Sequence, residues 1–96
     1  MNIKTLHSEE KEVSAKPLFK GSEGGNTTSL RISKGGQLKA HTTKVPALLI
    51  CMEGQAQFGN ELGILTDLFP GDYVLIDPLV VHYVNGISDC QLLLLK

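Results

Sequence analysis

The chain predicts an all-β domain, a sandwich or a barrel. Short runs rich in Val, Ile, Leu, Phe and Thr follow one another along its 96 residues. Glycine-bearing turn segments separate them: KGSEGGN, SKGGQ, MEGQ, GNELG, FPGD and VNGISD. Many short strands at regular spacing between turn signals mark a sandwich or barrel. No long helical period runs through the chain. The segment ALLICM (Ala47–Met52) is the one apolar run that periodicity leaves open between strand and buried helix. Its shortness and the glycine that follows it select strand.

The elements follow in order. Strands are expected near Ile3–Leu6, Leu18–Lys20, Ser29–Ser33, Gln37–Thr42, Ala47–Met52, Ala56–Gly59, Gly63–Leu68, Tyr73–Ile76, Val80–Val84 and Cys90–Leu95. Ser8 is a suitable N-cap for one helical turn over SEEKEV. Residues 21–27 read as a polar, glycine-rich loop. Two apolar runs joined at Glu53-Gly54 read as a tight hairpin. FGNELG reads as a second turn. Pro70-Gly71-Asp72 reads as a third, because proline fixes φ and glycine admits positive φ.

Length and composition narrow the function classes. A chain this short is one domain, residues 1–96. Nine Lys and Arg against ten Asp and Glu give a net charge of -1, and the lysines are scattered. That leaves no electrostatic footprint for nucleic acid. The first thirteen residues are too polar for a signal peptide. No apolar run approaches the roughly 20 residues of a membrane-spanning helix. Cys51 and Cys90 make no disulfide framework, and both read as free thiols in a reducing cytosol. The expected location is therefore cytoplasmic, with no nucleic acid and no membrane as partner. His7 lies in a polar segment and reads as surface.

Two stretches carry a family resemblance. In residues 35–54, Gly35 is followed by five residues and His41, and Gly54 closes the stretch. In residues 71–86, Gly71 precedes His82 at matching distance, with Pro78 and Asn85 nearby. Together, and in this order, they resemble the two signatures of a small single-domain cupin of the cupin-2 conserved-barrel type. The resemblance implies a jelly-roll β-barrel, with residues 1–20 as an N-terminal arm of strand and turn. It is degenerate. Thr43 stands where the family has its second histidine, and Ala47 where it has its glutamate. Asp77 takes the place of the signature proline, Leu79 that of a glycine, and Asn85 falls one residue early.

The resemblance implies that His41 and His82 are the remaining ligands of a metal site facing into the barrel. Four imidazole and carboxylate donors suit a divalent transition metal. Two plus waters would hold it weakly, since a threonine hydroxyl is a poor ligand and alanine offers none. No other cofactor is implied. Thr43 shares the face of His41 on a strand, two residues on. Thr43, Ala47, Leu49 and Cys51 are the expected pocket lining. Cys51 has only the general logic of Cys–His pairing to support it as a nucleophile, and a thiol in apolar surroundings is inert. No catalytic residue is assigned. Two functions stay open. One is a non-catalytic barrel that holds a small molecule. The other is a metal-dependent enzyme, a dioxygenase or isomerase, using His41 and His82.

A homodimer is also expected. A domain of this size buries only about 60–65% of its unfolded surface. ALLICM is apolar on both faces, so the face carrying Leu48 and Met52 needs cover outside the barrel. The strand candidate IKTL has no hairpin partner, and free edges are liabilities.

Overall fold

The structure, a computed structural model, describes residues 1–7 and 11–96. The helical turn expected over residues 8–13 has its first three residues, 8–10, outside the described ones, and its last, Val13, opens a strand instead. Among the described residues nine strands form: β1 (Val13–Lys20), β2 (Asn26–Ile32), β3 (Gln37–His41), β4 (Ala47–Glu53), β5 (Ala56–Asn60), β6 (Leu65–Leu68), β7 (Tyr73–Ile76), β8 (His82–Gly86) and β9 (Cys90–Leu95). They make two antiparallel sheets, one in the order β1-β2-β9-β4-β7 and one in the order β3-β8-β5-β6. This is the expected all-β jelly roll.

Pairing of consecutive strands is the exception. Among the described residues only β1–β2 and β5–β6 are hairpins. The other connections cross between sheets, and one of them corrects a sequence expectation. Glu53-Gly54 joins β4 of the first sheet to β5 of the second, so it is a corner and not a hairpin. Gly54 has φ 78°, and a Cβ there would sit 2.1 Å from the Asp89 carbonyl oxygen. Glycine is required for close approach as well as for φ. The β5–β6 turn forms as expected. Asn60 Oδ1 accepts the Leu62 and Ile64 N–H groups and stiffens it. Pro70-Gly71 also turns the chain: Asp72 N donates to Phe69 O at 2.8 Å, and Gly71 has φ 94°.

The interior is built by alternation. Ala47, Leu49 and Cys51 of β4 face inward with Leu30, Ile32, Phe58, Leu68, Val84 and Leu92, and all are buried. Each such aliphatic or aromatic side chain stabilises the fold by about 1.5–3 kcal/mol relative to exposure. β1 begins at Val13, five residues earlier than the sequence suggested. Its charged residues and Pro17 obscured it. Proline is tolerated because β1 is an edge strand and owes no second ladder a hydrogen bond.

The N-terminal segment is not a strand. Ile3–Thr5 forms one 3-10 turn capped by Asn2, whose side chain accepts the Lys4 N–H at 2.8 Å. The reason lies in His7, which corrects the surface assignment: it is only 6% exposed. His7 Nδ1 pairs with Ser14 Oγ and Nε2 with Ser29 Oγ, each at 2.8 Å. Gln91 Nε2 donates to the same Ser29 Oγ at 2.7 Å. These hydroxyls belong to the outward-facing residues of β1 and β2, so the arm lies over the sheet instead of pairing along its edge. Two hydroxyl partners suit a neutral ring, one nitrogen donating and the other accepting. Burial lowers the His7 pKa below its ordinary value, and the charges of Lys16 and Arg31 lower it further.

A sign follows for pH. The unfolded chain binds the His7 proton more readily, so this contribution is complete above about pH 6.5 and is lost as pH falls through the folded-state value. Replacing His7→Ala should cost about 1–3 kcal/mol. Urea unfolding between pH 8 and pH 5 checks both effects. The loss of stability on acidification should be smaller in the variant than in the wild type.

Candidate functional site

His41 ends β3 and His82 opens β8, and the two residues are register partners. Their ring centroids lie 4.3 Å apart, tilted by 59°. The same local device holds each ring. His41 Nδ1 bonds the Lys39 carbonyl at 2.8 Å, and His82 Nδ1 bonds the Val80 carbonyl at 3.0 Å. A carbonyl only accepts, so Nδ1 carries a proton in both rings, and the neutral tautomer of each has its lone pair on Nε2. His82 is 2% exposed, and Phe58 stacks against it at 5.9 Å. Burial is the largest influence on its pKa and lowers it. The Val80 bond opposes the shift, while His41 and Lys96 add to it. His82 is thus held neutral, as an acceptor.

His82 lines a cavity of about 200 Å³ at the mouth of the barrel. Phe58, Val74 and Ile76 supply apolar wall, and Leu62 and Ile64 of the β5–β6 turn form the rim. Asn60 and Asp77 are the other polar side chains around it. Sequence reasoning missed most of these. Alternation at Phe58/Asn60 and Val74/Ile76 was readable, but which strand ends meet was not. A second hollow of about 280 Å³ lies beside Lys4, Arg31, Glu53 and Asp89. There Lys4 Nζ pairs with Glu53 at 3.3 Å, and Asp89 Oδ1 accepts the Lys34 N–H. The histidine-lined cavity, with its free ring nitrogen, is the better candidate.

The expected pocket residues lie elsewhere. Ala47, Leu49 and Cys51 are packed within the core cluster, and none lines the cavity. Thr43 is buried, but its hydroxyl is committed to the Val45 carbonyl at 2.8 Å. The fold brings His41 and His82 together, and it does not add Thr43 or Ala47 as donors. Among the described residues, no group of three or more His, Cys, Asp and Glu side chains is placed to hold a metal. A four-donor metal centre therefore does not fit these residues.

Thr43 does serve the site through its backbone. Its carbonyl accepts the Leu79 N–H at 2.8 Å, tying the end of β3 to the loop before β8. Leu79 pays for that geometry with φ 64°, the left-handed region where the resembled signature carries glycine. Cys51 has no histidine partner. Its thiol points at the Glu53 and Gly54 carbonyls at 3.6 Å. Burial raises its pKa, and the pKa of Cys90 is pushed up to about 11 by the same cause. The structure thus offers no activated thiolate.

Two expectations follow. Leu79→Gly should raise stability by about 0.5–1 kcal/mol, because the left-handed conformation strains a side-chain-bearing residue by about 1–2 kcal/mol and glycine flexibility returns part of the gain. The midpoint of urea unfolding reads this directly. Leu79 is 70% exposed, so little burial is lost. Both cysteines should resist thiol reagents at pH 7.5 until the protein is unfolded, when they should label rapidly. Fast labelling of native protein would contradict the burial of Cys51.

Comparison with known proteins gives the fold its relatives. No protein-family model and no curated protein matches the sequence. Solved structures match well. A cupin superfamily protein from Desulfitobacterium hafniense aligns with TM-score 0.86 at 15% identity, covering 98% of this chain and 84% of that one. A cupin-2 domain protein from Shewanella frigidimarina aligns with TM-score 0.81 at 15% identity, covering 100% and 92%. A cupin-like protein from Thermotoga maritima aligns with TM-score 0.79 at 20% identity, covering 88% and 67%. These likenesses show the fold of the chain: the all-β jelly roll of small cupin-type domains.

Proposed function

We propose that this domain is a non-catalytic barrel that holds one small, largely apolar molecule in the cavity beside His82. One observation carries this reading. A neutral imidazole, fixed through Nδ1, faces an apolar-walled cavity with its Nε2 unpartnered among the described residues. Pre-formed apolar pockets with a few placed polar groups are the usual form of ligand sites. The cavity is smaller than the roughly 300–1,000 Å³ of drug-sized sites, so the ligand is small. Its polar end is a donor: His82 Nε2 accepts, and the Asp77 carboxylate at the rim accepts as well. The Asn60 amide can donate, since its oxygen is occupied by the turn. A short-chain alcohol or amine meets these demands.

A second reading retains support from one feature. Both imidazoles give Nδ1–H to a backbone carbonyl, which is the arrangement that orients metal-binding histidines. With two nitrogen donors, a transition metal would be held weakly, and enzymatic use of it would need donors from the substrate.

Ligand-observed NMR with a panel of small alcohols, amines and carboxylic acids tests the first reading. Alcohols or amines should show saturation transfer, and His82→Ala should weaken their binding by about tenfold, the loss of one good buried hydrogen bond. Titration with zinc or nickel, followed by histidine resonances, tests the second. Saturation at micromolar metal, abolished by His41→Ala, would favour the metal reading over ours.

A further inference from the structure

The outer face of the four-stranded sheet carries two unlike rows side by side. In the first, Gln37, Asn85, Gln57 and Asp67 are cross-strand neighbours on β3, β8, β5 and β6. Their side chains are linked end to end. Gln37 Nε2 donates to Asn85 Oδ1 at 2.8 Å, Asn85 Nδ2 to Gln57 Oε1 at 3.3 Å, and Gln57 Nε2 to Asp67 Oδ1 at 3.4 Å. The carboxylate sets the direction of the whole row. It only accepts, so Gln57 turns its nitrogen toward Asp67 and its oxygen toward Asn85, and Asn85 turns its oxygen toward Gln37. In the second row, two residues along each strand, stand Tyr83, Gly59 and Leu65. A Cβ on Gly59 would run into Cζ, Oη and Cε1 of Tyr83. The tyrosine ring therefore reclines over β5. It buries the glycine beneath it, is itself half-buried, and leaves its other side to solvent.

We propose that this face is a binding platform for a neutral oligosaccharide, with one sugar ring seated on Tyr83 and the hydroxyls of that ring and its neighbour on the amide row. Each link of the row uses one N–H and one lone pair of an amide that has two of each. Asn85 and Gln57 thus retain a donor and an acceptor apiece, repeated at the strand spacing of about 4.8 Å. A hydroxyl both donates and accepts. A ring bearing several hydroxyls therefore matches alternating donors and acceptors better than a ligand that only accepts. The row side chains hold one another in place before anything binds, which lowers the cost of ordering them.

Tyr83 supplies the other half of the recognition. One side of a sugar ring is a patch of slightly positive C–H groups, and the face of an aromatic ring is negative. Leu65, 60% exposed at the far end of the same row, extends the apolar strip. Charge narrows the class further. The two rows contain no cation to receive an anionic ligand, and their one carboxylate is already bonded by Gln57. The platform is separate from the barrel cavity. Phe58 and His82, which line that cavity, alternate along β5 and β8 with the platform residues and face the opposite way. The proposal therefore does not rest on what the cavity holds.

Titration of the isotope-labelled full chain with cellotriose, maltotriose and mannotriose, read by amide chemical shifts, tests this. At least one sugar should bind with Kd on the order of 1 mM, the strength of a few solvent-exposed contacts. The shifts should centre on residues 57–59, 65–67 and 83–85. Gly59 does not have positive φ, so its backbone accepts a side chain. Gly59→Ala should lift the tyrosine ring while leaving every donor in place, and should weaken binding at least about tenfold, the loss of one good contact. Gln57→Ala breaks two links of the row and should weaken binding as much. Leu75→Glu, exposed on the other sheet, should bind as the wild type does. Should Gly59→Ala fail to fold, Gln57→Ala decides with the same readout. The proposal is overturned by the absence of shifts from all three sugars at about ten times that concentration. Shifts centred on Val74 and Ile76 of the cavity would overturn it too, as would binding unchanged in a folded Gly59→Ala or Gln57→Ala, or lost in Leu75→Glu.

Discussion

The pleat of β4 governs both sides of this molecule. Held between β9 and β7, it sends Ala47, Leu49 and Cys51 into the barrel and Leu48, Ile50 and Met52 outward. A one-residue slip would exchange the two sets. Nothing in side-chain polarity forbids the exchange, because both sets are apolar. Size does. The inward set begins with alanine and ends with a thiol, which fit under Ile76 and beside Leu92, while the outward set is uniformly large. The corner at Gly54 fixes the register at the other end, since only glycine passes that close to Asp89.

Two imidazoles mark the two surfaces so defined. His82, inside, is fixed through Nδ1 and buried against Phe58. His7, outside, is clamped between two serine hydroxyls. Desolvation is the leading cause of the lowered pKa in both. Each favours its neutral form in the folded chain, so both contributions to stability weaken in the same direction on acidification. Their consequences differ. Protonating His82 would remove the acceptor of the ligand cavity, whereas protonating His7 would disturb the seat of the arm.

Backbone pairing, more than side-chain identity, shapes the site at the barrel mouth. The pairing of β3 with β8 brings His41 and His82 together through backbone register, whatever residues stand at 43 and 47. The Leu79–Thr43 backbone bond still ties the two motifs, even though leucine is strained there and threonine has turned its hydroxyl to Val45. What remains at the barrel mouth is an apolar cavity with one oriented acceptor.

By itself the sequence determined the strands and their faces. Alternation, turn glycines and β-branched residues are local signals, and they located most strands to within a few residues. The two spaced histidines were legible for the same reason, as were the turns at Asn60 and Gly71. Tertiary structure alone decided which strands pair. Glu53-Gly54 carries the same signal whether the chain doubles back or crosses to the other sheet, because a turn residue reports φ and not its partner. The arm was illegible for a related reason. His7 reads as polar surface until Ser14 and Ser29 arrive from β1 and β2, 7 and 22 residues away, to replace its water. The cavity, too, exists only where the ends of β5, β7 and β8 meet, and no local pattern encodes the distance between strand ends.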